Sequence, residues 1–173
     1  MLDRKLLGTY LNDHLAGSTV GMELARRARG SNEGSEYGDV LAKVAREIEE
    51  DRDALERLMG SLGVKRDRAK VAAAWTGEKL GRLKPNGRLL SYSPLSRLIE
   101  LEMLALGITG KLSLWEALAE VADQDSRIDQ AQLKELSARA ERQRAEVWKL
   151  RQRAAREALS AGPKQPARPA AQG

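Results

Sequence analysis

The chain of 173 residues has no cysteine, no phenylalanine, one histidine, three tryptophans and three tyrosines. Without cysteine there is no disulfide, no thiolate metal site and no cysteine nucleophile. With so few aromatic rings, packing falls to Leu, Ala, Val and Ile, a palette that favours helices over sheets. No stretch approaches the ~20 consecutive apolar residues needed to cross a bilayer. Near the start, Asp13 and His14 interrupt the apolar positions before a secretory segment develops. A cytoplasmic protein without membrane contact is expected. Glycine-rich phosphate loops, triad patterns and dinucleotide fingerprints are absent as well, and no cofactor is expected.

What remains is charge and helical periodicity. Thirty Lys and Arg stand against 25 Asp and Glu, a net charge of +5. The surface is therefore mixed in sign rather than a basic tract. The length suits one domain with a workable core. Apolar residues at three-and-four spacing predict four long helices, over 2–29, 35–62, 94–122 and 127–161. Gly30 is expected to end the first, and Gly63 the second. Ser35 is a candidate N-cap, and Ser93-Pro94 is a cap followed by proline at the first helical position. A crossover over 63–93 is too long to be structureless, and Arg66 to Lys79 reads as a short extra helix within it. Gly107 and Gly110 suit a close helix contact in a continuous third helix. The competing reading breaks that helix, because Ser113-Leu114-Trp115-Glu116 fits a capping box. Residues 1–161 thus form one helical bundle. The proline-rich segment 162–173 has nothing to bury and reads as a disordered tail.

One polar or ionisable residue interrupts the apolar stripe of each helix: His14, Asp51, Glu102 and Gln143. His14 lies 20 residues before Gly34 and Asp51 lies 17 after it; Glu102 lies 22 before Gln124 and Gln143 lies 19 after it. At about 1.5 Å per residue, each pair falls near a common level, around mid-bundle. There an unpartnered polar group is most costly, so a shared interior polar cluster or ligand-binding site is expected. Two arrangements satisfy the pattern. His14 could pair with Asp51 and Glu102 with Gln143, fixing the register of the two hairpins. Alternatively the four line a small-ligand pocket, or His14, Asp51 and Glu102 hold one zinc or non-haem iron ion.

The order hairpin, long crossover, hairpin resembles that of the ferritin-like four-helix bundles, over roughly residues 2 to 160. The acidic runs Glu47-Ile48-Glu49-Glu50-Asp51-Arg52-Asp53 and Glu100-Leu101-Glu102 carry the likeness. It implies an all-α antiparallel four-helix bundle, with the short extra helix lying in the crossover between helices 2 and 3. The ligands of a two-iron centre do not follow. Segment 2 offers Glu47-x-x-Glu50, segment 4 offers Glu141-x-x-Arg144, and neither supplies the Glu-x-x-His pair. The resemblance therefore implies a member whose di-metal site has degenerated.

Other features carry bland explanations. Arg139, Arg142, Arg144, Arg151, Arg153 and Arg156 alternate with Glu135, Glu141, Glu146 and Glu157, as on a solvated, salt-bridged helix face. Nucleic acid is not an expected partner. Trp75, Trp115 and Trp148 sit at helical spacing among apolar residues and read as core or groove-covering. Surplus exposed Leu and Trp predict a homo-oligomer. The resulting expectation is a non-catalytic binding or scaffold bundle, its small ligand or protein partner unnamed by the sequence. The alternative is a metal-dependent oxidase or hydrolase with a mid-bundle His/carboxylate site.

Overall fold

Polar side chains start four long helices in the computed structural model, which describes residues 2–70, 72 and 92–160. These are α1 (Arg4–Ser31), α2 (Glu36–Ser61), α3 (Pro94–Ala119) and α4 (Gln130–Leu159), with a 3-10 turn at Ala122–Gln124 before the last. Asp3, Ser35, Ser93 and Asp129 are the N-caps, each accepting from one or two orphan backbone N–H groups of the first turn. Such a cap contributes about 1 kcal/mol. The described residues contain no strand. Helix α3 runs unbroken through Gly107 and Gly110. Most of the expected crossover helix, with Trp75, and the tail over 162–173 lie outside the described residues.

Two helix ends depend on glycine, and one is not the glycine expected. Gly63 (φ 71°) follows α2 in the left-handed region, where only glycine is unstrained. Gly30 does not end α1. The helix continues to Ser31, and Gly34 (φ 73°) takes the left-handed position instead. This connector folds back tightly: a Cβ on Gly38 would collide with the backbone carbonyl of Asn32.

Helix α1 packs on α2, α3 packs on α4, and the two hairpins meet through α1 with α3 and α2 with α4. Leu11, Leu15, Leu41, Ile48, Leu101, Leu104, Ile108, Leu133 and Val147 are central to a single aliphatic core. Each such side chain stabilises the fold by roughly 1.5–3 kcal/mol relative to exposure. Both ends are tied by asparagine. Buried Asn32 donates through Nδ2 to the Ala28 carbonyl (2.7 Å) and the Tyr92 hydroxyl (2.9 Å), and accepts from Arg97 Nε (2.6 Å). Asn12 Nδ2 donates to the Lys65 carbonyl (3.0 Å), and its Oδ1 accepts from the Asp67 N–H (2.7 Å). The chain leaving α2 is thereby fixed against α1.

Three of the arginines of α4 pair within the molecule. Arg139 pairs with Glu50 (2.8 Å), Arg151 with Glu102 (3.0 Å) and Arg153 with Glu36. The Arg151 guanidinium also lies 4.6 Å from the centre of the Trp148 ring, which is half-exposed beneath it. Exposed pairs of this kind contribute ~0–1 kcal/mol each.

Candidate functional site

Of the four polar residues singled out by spacing, the fold brings two together. Asp51 on α2 is 1% exposed and Gln143 on α4 is fully buried. Gln143 Nε2 donates to Asp51 Oδ2 at 3.2 Å and to Glu47 Oε2 at 3.0 Å. Two cations complete the cluster. Lys111 of α3 reaches across the bundle, its Nζ donating to Asp51 Oδ2 and to Gln143 Oε1. Arg139 of α4 pairs through Nη2 with Asp51 Oδ1. Burial lowers the Lys111 pKa, and the neighbouring Asp51 charge opposes that effect.

Glu102 is not part of this cluster. It lies on the outward edge of α3 and takes both Nε and Nη2 of Arg151, at 3.1 and 3.0 Å. The reason is geometric. Leu95, Glu102, Thr109 and Glu116 repeat every seven residues, but that line faces out. Leu104, Ile108, Lys111 and Trp115 form the line that faces in. Helix α3 is apolar almost all round, so its stripe poorly marks its buried face. Two residues were missed: Lys111, whose signal is its position between Ile108 and Trp115 at three-and-four spacing, and Arg139, expected on a solvated face but reaching buried Asp51 from the turn before Gln143.

His14 also lacks the expected hydrogen bond to Asp51. It is half-buried, with its ring edge-on to Tyr10 at 4.6 Å between centroids. The buried residues of α1 include Leu11, Leu15, Thr19 and Ala25, while His14, Ser18 and Met22 are only half-buried at the edge of that face. His14 and Asp51 nevertheless border the same space, a cavity of about 300 Å³ between α1 and α3 with α2 as its floor. Gly17 and Gly21 of α1 and Gly107 and Gly110 of α3 all line it. A Cβ built on any of the four meets nothing within 4 Å. The pair on α3 thus does not mediate the close helix contact expected from the sequence; it faces open space.

Apolar walls are supplied by Ile48, Leu55, Leu104, Ile108 and Leu114, and polar groups by His14, Asp51, Arg52, Lys111 and Trp115. Trp115 is 1% exposed, and its indole Nε1–H has no acceptor among the described residues; the Arg52 Nε–H has none either. Native interiors rarely leave such donors unmatched.

Burial lowers the His14 pKa below its ordinary 6.5, with Asp13 acting in the opposite sense. The folded state therefore resists this protonation more than the unfolded chain does. The His14 contribution is complete above about pH 6.5 and is lost as pH falls below that value towards the folded pKa. His14→Gln should flatten the decline in urea midpoint between about pH 7 and 5. An unchanged decline would assign the acid sensitivity to other groups.

The donor set does not fit the metal centre that the ferritin-like resemblance brings with it. Among the described residues, no three His, Cys, Asp or Glu side chains are grouped to hold a metal ion. Asp51 already carries two cationic partners, and Glu102 is engaged by Arg151 elsewhere. The molecule is thus an all-α bundle with a buried ion cluster set against a partly apolar cavity. Comparison with family models, with curated proteins and with solved structures finds no match for the chain.

Proposed function

We propose that this protein is a non-catalytic, ferritin-like bundle, antiparallel between neighbouring helices, which binds a small and largely apolar ligand in the α1/α3 cavity. The observation that carries the ligand reading is the cavity itself. About 300 Å³ lies at the small end of the range for ligand pockets, and mostly apolar walls with a few placed polar groups are their usual chemistry. Four glycines keep it open, each at a cost of roughly 0.5–1 kcal/mol against alanine in a helix.

The topology rests on contacts between helices. Lys43–Glu146 with Glu36–Arg153, and Arg97–Glu157 with Glu102–Arg151, pair rising numbers on one helix with falling numbers on the other. Asp51–Lys111 and Tyr37–Arg97 are each 60 apart, which supports α2 and α3 running in parallel. A long crossover between such helices is the ferritin-like arrangement. Self-association belongs to the same reading, supported by Leu95, Met103 and Leu106 exposed on α3. So does a cytoplasmic address, with which it agrees that no described helix is long and apolar enough to cross a membrane.

Octanol is a suitable first probe, an apolar chain with one neutral polar end. Titration calorimetry and thermal melting should show it binding and stabilising the wild-type protein, with both effects lost on Gly107→Leu, which fills the opening. Absence of octanol binding at millimolar concentration, or binding undiminished in Gly107→Leu, would overturn this assignment.

A further inference from the structure

We infer that the ligand of the α1/α3 cavity carries a carboxylate, held by the indole N–H of Trp115 and the guanidinium of Arg52, with its apolar part along the glycine-lined wall. The inference rests on the ligand reading above and adds its polar chemistry.

Among the buried groups without a hydrogen-bond partner on residues lining this cavity are two donors and one acceptor, Asp51 Oδ1, which faces the Arg139 guanidinium. Trp115 Nε1–H and Arg52 Nε–H come from different helices, α3 and α2, and both residues line the same space. Indole nitrogen can only donate, and so can guanidinium. Their missing partner must therefore be an acceptor. The carboxylates nearby are paired with cations: Asp51 with Lys111 and Arg139, and Glu56 with Arg52 Nη1 (2.8 Å) and Arg66 Nη1 (2.8 Å). Ser18 Oγ donates to the Leu15 carbonyl at 2.7 Å. None turns to Trp115 or to Arg52 Nε.

A carboxylate answers this arrangement better than a neutral acceptor. It offers two oxygens to two donors, and a charge-assisted hydrogen bond to guanidinium is roughly twice as strong as a neutral one. Lys111 stands on the same wall as a further cation. A ligand amine would meet the Arg52 guanidinium and the Lys111 ammonium as like charges. Glycine on both flanking helices leaves room for an unbranched or flat apolar body between them.

Octanoate and octanol separate the polar recognition from the apolar one. Octanoate should bind the full-length wild-type protein about tenfold more tightly than octanol, as expected for one charge-assisted hydrogen bond gained. Trp115→Phe keeps an aromatic ring and removes the donor; Arg52→Gln removes the charge. Each should weaken octanoate about tenfold while leaving octanol within about twofold. Should Trp115→Phe fail to fold, the wild-type indole resonance answers directly. The ¹H–¹⁵N signal of Trp115 Nε1 should move downfield with octanoate and less with octanol. Equal affinity for the two probes, unaltered by Arg52→Gln and with no such movement, overturns the carboxylate inference and leaves the apolar cavity assignment intact. Failure of both probes to bind removes the assignment and this inference together.

Discussion

Replacing Asp51 by alanine should cost about 3–5 kcal/mol of folding stability, the largest effect expected of any single polar substitution in the bundle. The carboxylate is 1% exposed and is shared by Lys111, Arg139 and Gln143. Its removal leaves an ammonium group deep in the interior with only an amide oxygen as acceptor. Desolvation already pulls the Lys111 pKa down, and Asp51 is its chief opponent, so the lysine would shed its proton or draw in water. The loss belongs to the stranded cation more than to the pair. Asp51→Leu combined with Lys111→Met should therefore regain most of it, since apolar residues of similar volume often match a buried ion pair. Arg139 retains Glu50 in that double variant. Urea denaturation of the two single variants and the double gives the coupling directly. If the double variant is as unstable as the sum of the singles, the cost lies in packing rather than in the uncompensated charge.

The same cluster marks where sequence reasoning reached and where it stopped. On α2, Leu41, Val44, Ile48, Asp51, Leu55, Leu58 and Leu62 recur at helical spacing, and all are buried. A polar opposite face makes that stripe unambiguous, and Asp51 is buried with it, as Gln143 is on α4. Helix α3 offers no such contrast. Leu95, Met103 and Leu106 are exposed although apolar, so hydrophobicity alone does not separate the buried face from the edge that carries Glu102, and it gives no sign that Lys111 reaches inward. On α1 the ambiguity had another source. Gly17 and Gly21, with Ser18 and His14, border a cavity, and a face that lines empty space is only partly buried. The four helices, their order and most of their ends were legible because caps and periodicity are local. The partners of Asp51 were not, because they come from helices 60 and 88 residues further along the chain.

Alanine at Gly17, Gly21, Gly107 and Gly110 together should raise stability by roughly 2–4 kcal/mol, taking about 0.5–1 kcal/mol for each site. All four lie inside helices, where glycine gains most freedom on unfolding, and no neighbour obstructs an added methyl at any of them. Distant sites in this set should add; Gly17 with Gly21 and Gly107 with Gly110 are close enough to depart from additivity. The expected counterpart is loss of octanol binding, because four methyl groups enter the cavity from both sides. A gain in urea midpoint accompanied by weaker probe binding would identify these glycines as residues that hold space open at the expense of stability. Gly38→Ala is the internal control: it too lies in a helix, but its methyl would strike the Asn32 carbonyl, so it should destabilise. If the quadruple variant gained stability and still bound octanol as tightly as the wild type, the ligand would lie elsewhere on the molecule. If it lost stability, α1 and α3 would approach each other in solution more closely than the cavity allows.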